Sequence, residues 1–118
     1  MTNAAEETLE QNGYEFYEVS DVDDVPPGER IYLELDDKPV IIFNVDGEFF
    51  AIDDECTHDN GPLGEGQLEN HHIICPRHGA RFDIRNGRVL ALPAVKDVGA
   101  YPVRVRYGKI EIGIKIGG

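Results

Sequence analysis

Two short segments of this sequence concentrate its chemistry. Cys56-Thr57-His58 and Cys75-Pro76-Arg77-His78 each place one thiol and one imidazole within a few residues, and sixteen residues separate the two segments. They hold both cysteines of the 118-residue chain and two of its four histidines. A cysteine pair can form a disulfide, stay as two unrelated buried thiols, or bind metal. Disulfides belong to oxidising compartments, and the N-terminal MTNAAEETLEQNG lacks the basic and apolar regions of a secretion signal. With an imidazole beside each thiol, metal binding is the favoured reading. Two metals fit such a set. Zinc takes all four donors around one ion and comes first on ligand type alone. A [2Fe–2S] cluster divides them, two thiolates on one iron and two imidazoles on the other. Spacing alone leaves both open. His71 and His72 fall outside the pattern and read as surface or strand-edge residues.

The rest of the chain must hold two such loops face to face. Tyr14 to Val19 reads as a strand. Ser20 is placed to cap one helical turn through Val25, which Pro26-Pro27-Gly28 ends. Ile31, Leu33 and Leu35 alternate with polar or amphipathic neighbours, as in a strand with one buried face. Val40 to Val45 is an apolar run of strand length, Asp46-Gly47 a hairpin turn, and Glu48 to Ile52 the return strand. The texture changes from Asp53 to Gly87, which contains every Cys and His. Short strands are expected there at His72 to Ile74 and Arg81 to Ile84, with a turn at Asn86-Gly87. Beyond it, Val103 and Val105 alternate with Arg104 and Arg106, and Ile110, Ile112, Ile114 and Ile116 alternate with Glu111, Gly113 and Lys115. The pattern predicts an all-β domain over 14–118, a sandwich or small barrel, with an inserted cluster-binding subdomain at about 53–87. Residues 1–13 read as a flexible acidic tail.

Composition narrows the partners. The net charge is −12, and residues 1–70 carry 20 acids against only Arg30 and Lys38. This charge makes nucleic acid a poor candidate partner, because phosphate repels it. No apolar run reaches the roughly 18 residues that span a bilayer, so no membrane association is expected and the cytoplasm is the expected location. Arg77, Arg81, Arg85 and Arg88 surround the second ligand pair. They either form a basic collar that orients a docking partner or pair with Asp59, Asp83 and other acids.

The flanks of the ligand pairs decide between the metals. CTHDNGPLGEG and CPRHGARFDIRNG resemble the two cluster-binding loops of Rieske ferredoxins, and LPAV at 92–95 sits where those proteins carry a proline-containing loop. The similarity runs from about Tyr14 to Ile116. It implies one Rieske-type [2Fe–2S] cluster, with Cys56 and Cys75 on the inner iron and His58 and His78 on the outer one. Gly61, Pro62, Gly64, Gly66 and Gly79 would then shape the loops. Two ferric ions, two sulfides and two thiolates sum to zero, so reduction gives −1; four thiolates would take the site from −2 to −3, and the potential is higher for the less negative site.

The resemblance also implies a role: an electron carrier without catalysis of its own, passing electrons from a flavin-dependent reductase to a terminal oxygenase. The additional loop cysteines of cytochrome bc Rieske proteins are missing, and Ala80 and Phe82 stand where those proteins place a serine and a tyrosine. These differences point to the ferredoxin branch and to a potential in the lower part of the Rieske range. The small subunit of an assimilatory nitrite reductase and a zinc-bound interaction module are the alternatives.

Overall fold

The structure, a computed structural model, describes residues 13–57 and 60–115. The expected tail, except Gly13, and Ile116 therefore lie outside the described residues. Within them the chain forms eleven strands and one 3-10 turn. β1 (Tyr14–Asp21), β10 (Val103–Arg106) and β11 (Lys109–Lys115) make a three-stranded sheet in the order β1-β11-β10. β2 (Arg30–Leu35), β3 (Lys38–Val45), β4 (Glu48–Asp53) and β9 (Ala100–Tyr101) make a second sheet in that order. β5 (Gln67–Glu69), β6 (His72–Ile74), β7 (Arg81–Asp83) and β8 (Val89–Ala91) make a third. All neighbouring strands are antiparallel. The all-β expectation holds. The small third sheet ends at Ala91, beyond the Gly87 at which the sequence reading placed the end of the insertion.

The β3–β4 hairpin explains how the layers are joined. Its turn, Asp46-Gly47, has φ of +53° and +92°, the double left-handed conformation of a tight hairpin. Successive β3 side chains point to opposite faces, yet Val40 through Asn44 are all buried. Val40, Ile42 and Ala51 pack with Val25, Ile110 and Ile112 in a core between the two framework sheets. Ile41, Phe43 and Ile52 face the other way, into a second core with Leu63, Ile73, Phe82, Ile84 and both cysteines. A strand buried on both faces reads as a continuous apolar run rather than an alternation, and Val40–Val45 is such a run. β3–β4 is thus a wall shared by the framework and the metal-binding half.

Two local expectations need correction. Ser20 does not cap the helical turn. β1 continues through Asp21, with Ser20 still paired to Ile110, so the turn starts later, at Val22–Asp24, with Asp21 as N-cap. The Asp21 N–H donates to the Asp24 carboxylate at 3.4 Å. Second, the strand at Arg81 stops at Asp83, because the Asp83 carbonyl turns to accept the Gly87 N–H at 2.7 Å.

Candidate metal centre

Both expected ligand loops are closed by the same main-chain bonds. The Cys56 N–H donates to the Gly61 carbonyl at 2.7 Å, and the Cys56 carbonyl accepts from the Asn60 N–H at 2.7 Å. The Cys75 N–H donates to the Ala80 carbonyl at 2.7 Å, and the Cys75 carbonyl accepts from the Gly79 N–H at 3.0 Å. In each loop the fourth residue after the cysteine is left-handed, Asn60 at φ +64° and Gly79 at φ +80°. Glycine and asparagine are the residues that adopt this conformation most readily. Two unrelated stretches of sequence therefore fold into one loop form, each with its cysteine at the base.

The donors are sorted by burial. Cys56 is 0% and Cys75 1% exposed, neither is in a disulfide, and both lie in the core shared with β3–β4. His78, three residues after its cysteine, is exposed. His58 lies outside the described residues. Two buried thiols under a solvent-facing imidazole suit a centre whose sulfur-bound metal is inside and whose nitrogen-bound metal is at the surface. Ala80 and Phe82 are buried against the same core, and neither supplies a hydroxyl to it. The residues present thus fit an iron–sulfur centre. His71 and His72 stay apart from this role. The His71 ring meets Phe50 edge-on at 5.5 Å, and His72 sits on β6 opposite Asp83.

The proline-containing loop at 92–95 is tied to the first ligand loop. The Thr57 hydroxyl donates to the Lys96 carbonyl at 2.6 Å. From the other side, the Val98 N–H donates to the Gly87 carbonyl at 2.8 Å. A Cβ on Gly87 would fall 2.1 Å from the Val98 carbonyl oxygen, so this contact requires glycine there. Leu92 and Val95 remain 74% and 80% exposed.

The arginines of the second half divide. Arg85 grips Asp83 through Nε at 3.0 Å and Nη2 at 2.9 Å, and Arg81 pairs with Glu69 at 2.9 Å. For these two, pairing within the molecule replaces a free collar. The Arg85 guanidinium bonded to Asp83 holds that carboxyl below its ordinary range, against the opposing effect of burial. A carboxyl lowered in the folded state stabilises the fold above about pH 4, and that contribution disappears as pH falls through its folded value. Asp83→Asn is expected to lower the melting temperature by roughly 3–5 °C near neutrality. The gap should narrow as pH falls through the lowered value of the Asp83 carboxyl, as melting curves taken into the acid range will show.

Sequence reasoning missed three residues around the site. The Asp54 Oδ1 accepts the N–H groups of Leu63 and Gly64 at 2.8 and 2.7 Å. Arg30 Nη1 donates to the carbonyls of Gly64 and Gly66 at 2.7 and 2.8 Å, and the Tyr32 hydroxyl donates to the Gly64 carbonyl at 2.7 Å. The available signal was that Arg30 is one of two basic residues among the first 70.

Paired Cys loops on a β framework, thiols inside and an imidazole outside, define a metalloprotein of the Rieske class, and the comparisons agree. Residues 15–102 match the Rieske [2Fe-2S] domain, and the chain belongs to that family. It is therefore a [2Fe–2S] protein and not a zinc module. Among curated relatives, the 3-phenylpropionate/cinnamic acid dioxygenase ferredoxin subunits of Shigella flexneri serotype 5b (strain 8401) and Escherichia coli (strain K12) are 46% identical over 95 residues, 79% of this chain and 88% of theirs. The ferredoxin of carbazole 1,9a-dioxygenase from Nocardioides aromaticivorans IC177 superposes with a TM-score of 0.77 at 31% identity, covering 82% of this chain and 95% of that one. A chain from a complex of reduced oxygenase and oxidised ferredoxin in carbazole 1,9a-dioxygenase gives 0.78 at 27% identity, covering 87% and 96%. Among the described residues no helix is long and apolar enough to cross a membrane.

Proposed function

We propose that the protein carries single electrons from a flavin-dependent reductase to a terminal oxygenase, through one cluster held by Cys56 and Cys75 on the inner iron and His58 and His78 on the outer. The observation that carries the reading is the pair of matched loops, with both thiols buried and His78 at the surface. When bound, the cluster supplies a site for one electron. The chain's own residues do the rest. The buried thiols exclude water from the inner side of the site. The exposed imidazole gives a short path outward. Leu92 and Val95, on the loop tied to Thr57, are exposed apolar side chains of the kind protein partners cover. Relatives of this kind are ferredoxin subunits of dioxygenases, and the one seen in complex belongs with its oxygenase. We place the carrier in the cytoplasm, with no catalysis of its own. The nitrite reductase alternative shares the fold, and electron delivery to a purified oxygenase distinguishes the two.

The test is a redox titration of the purified holoprotein with EPR of the reduced state, alongside iron and acid-labile sulfide analysis. Ala80 and Phe82 add no hydroxyl donors to the sulfurs, and fewer donors stabilise the reduced state less. The expected midpoint is roughly −150 to 0 mV, the lower part of the Rieske range. A midpoint above about +200 mV contradicts this account of the site.

A further inference from the structure

The segment between the two ligand loops is held by the framework through its main chain. Asp54, just after β4, accepts the N–H groups of Leu63 and Gly64 through one carboxylate oxygen. Arg30 and Tyr32, on β2, take the carbonyls of Gly64 and Gly66. The Arg30 guanidinium rests on the Phe43 ring, 5.2 Å from its centroid, so its own position is set by the shared core. The Tyr32 ring lies so close that a Cβ on Gly64 would fall 2.1 Å from its Cε1. Charged groups bonded to neutral backbone make strong, well-directed hydrogen bonds.

This segment touches both cysteine loops. At one end, Gly61 accepts the Cys56 N–H, and only Pro62, with its fixed φ, separates Gly61 from the clamped Leu63. At the other end, a Cβ on Gly66 would fall 1.9 Å from the carbonyl oxygen of Ile74, the residue before Cys75. Leu63 itself is fully buried in the core that holds both thiols. A shift of Leu63 through Gly66 would therefore be felt at both cysteines. We propose that Arg30, Tyr32 and Asp54 are positioning residues for the metal centre, fixing the 61–66 segment that sets the separation of Cys56 from Cys75. The inference rests on the ligand assignment proposed above.

The experiment compares the wild-type holoprotein with Asp54→Ala, Asp54→Asn and Tyr32→Phe. The readouts are the EPR line shape of the reduced protein and the rate of iron loss to a chelator. Asparagine keeps the single oxygen that accepts both N–H groups and removes the charge. Positioning predicts that Asp54→Ala broadens the EPR lines and loses iron roughly tenfold faster or more, and that Tyr32→Phe loses it about threefold faster. Asp54→Asn should lie between wild type and Asp54→Ala, because the neutral amide oxygen accepts the same two N–H groups more weakly. An Asn variant as disturbed as the Ala variant overturns the proposal, because charge rather than geometry would then be the cause. So does an Ala variant with wild-type line shape and rate. If Asp54→Ala does not yield holoprotein, Tyr32→Phe decides: faster loss supports the clamp and an unchanged rate overturns it. Wild-type protein without iron or labile sulfide overturns the ligand assignment and this inference with it, whereas intact wild type with unaffected variants overturns the inference alone.

Discussion

Cys75→Ser is expected to lower bound iron and acid-labile sulfide at least about tenfold while leaving the framework folded. Cys75 is 1% exposed at the base of its loop, so a donor from solvent has no open route to its place. Serine keeps the shape and the main-chain closure to Ala80 and Gly79, because those bonds use only the Cys75 backbone. It does not supply a thiolate, and its hydroxyl is a poor iron ligand that is also buried among Ile73, Phe82 and Leu63. The framework core of Val40, Ile42, Ala51, Ile110 and Ile112 makes no use of this side chain. Colour, metal analysis and EPR should therefore collapse while far-UV circular dichroism keeps most of its strand signal. Serine protein with full iron and a wild-type EPR spectrum would remove Cys75 from the ligand set.

Removing the metal altogether should act on one half of the molecule. β5, β6, β7 and β8 are each three residues long, too short to be stable as an isolated sheet. Their core is completed by Leu63, Cys56 and Cys75, which the cluster would draw together from two loops. Metal binding to such loops is coupled to their folding. Stripping iron with chelator and reductant is expected to lower the melting temperature by roughly 10 °C or more. Amide hydrogen exchange should locate the loss, with protection falling at Ile73, Ile74 and Phe82 and persisting at Ile42 and Ile112. Equal loss across both cores would show that the two halves unfold as one unit, and that the β3–β4 wall couples them rather than dividing them.

Much of this protein is legible in its sequence because the informative signals are local. The period-2 pattern of Ile110, Ile112 and Ile114 places β11, since alternate side chains of a strand share a face. Asp46-Gly47 marks the hairpin because both residues must be left-handed. Cys56, Cys75 and His78 stand out by residue type and spacing, and the ligand loops need only residues within five positions of each cysteine to close. Other features had no local signature. β5, β8 and β9 are too short to show a period, and they lack the β-branched pair Ile73-Ile74 that marks β6, itself three residues long. Ser20 reads as a cap until its pairing with Ile110 carries β1 past it.

By itself, then, the sequence determined the all-β class and the two Cys/His loops, because propensity, periodicity and donor chemistry act over a few residues, while the family was legible only through the resemblance of the loop flanks. Only the tertiary structure decided that β3–β4 would serve two cores, that Arg81 and Arg85 would be paired with Glu69 and Asp83, and that Arg30, Tyr32 and Asp54 would grip the 61–66 backbone. Arg30 meets its targets 34 and 36 residues along the chain, and the groups it binds are main-chain carbonyls. Every residue has such a carbonyl, so no residue type announces the contact. It exists only once the sheets have brought the two segments together.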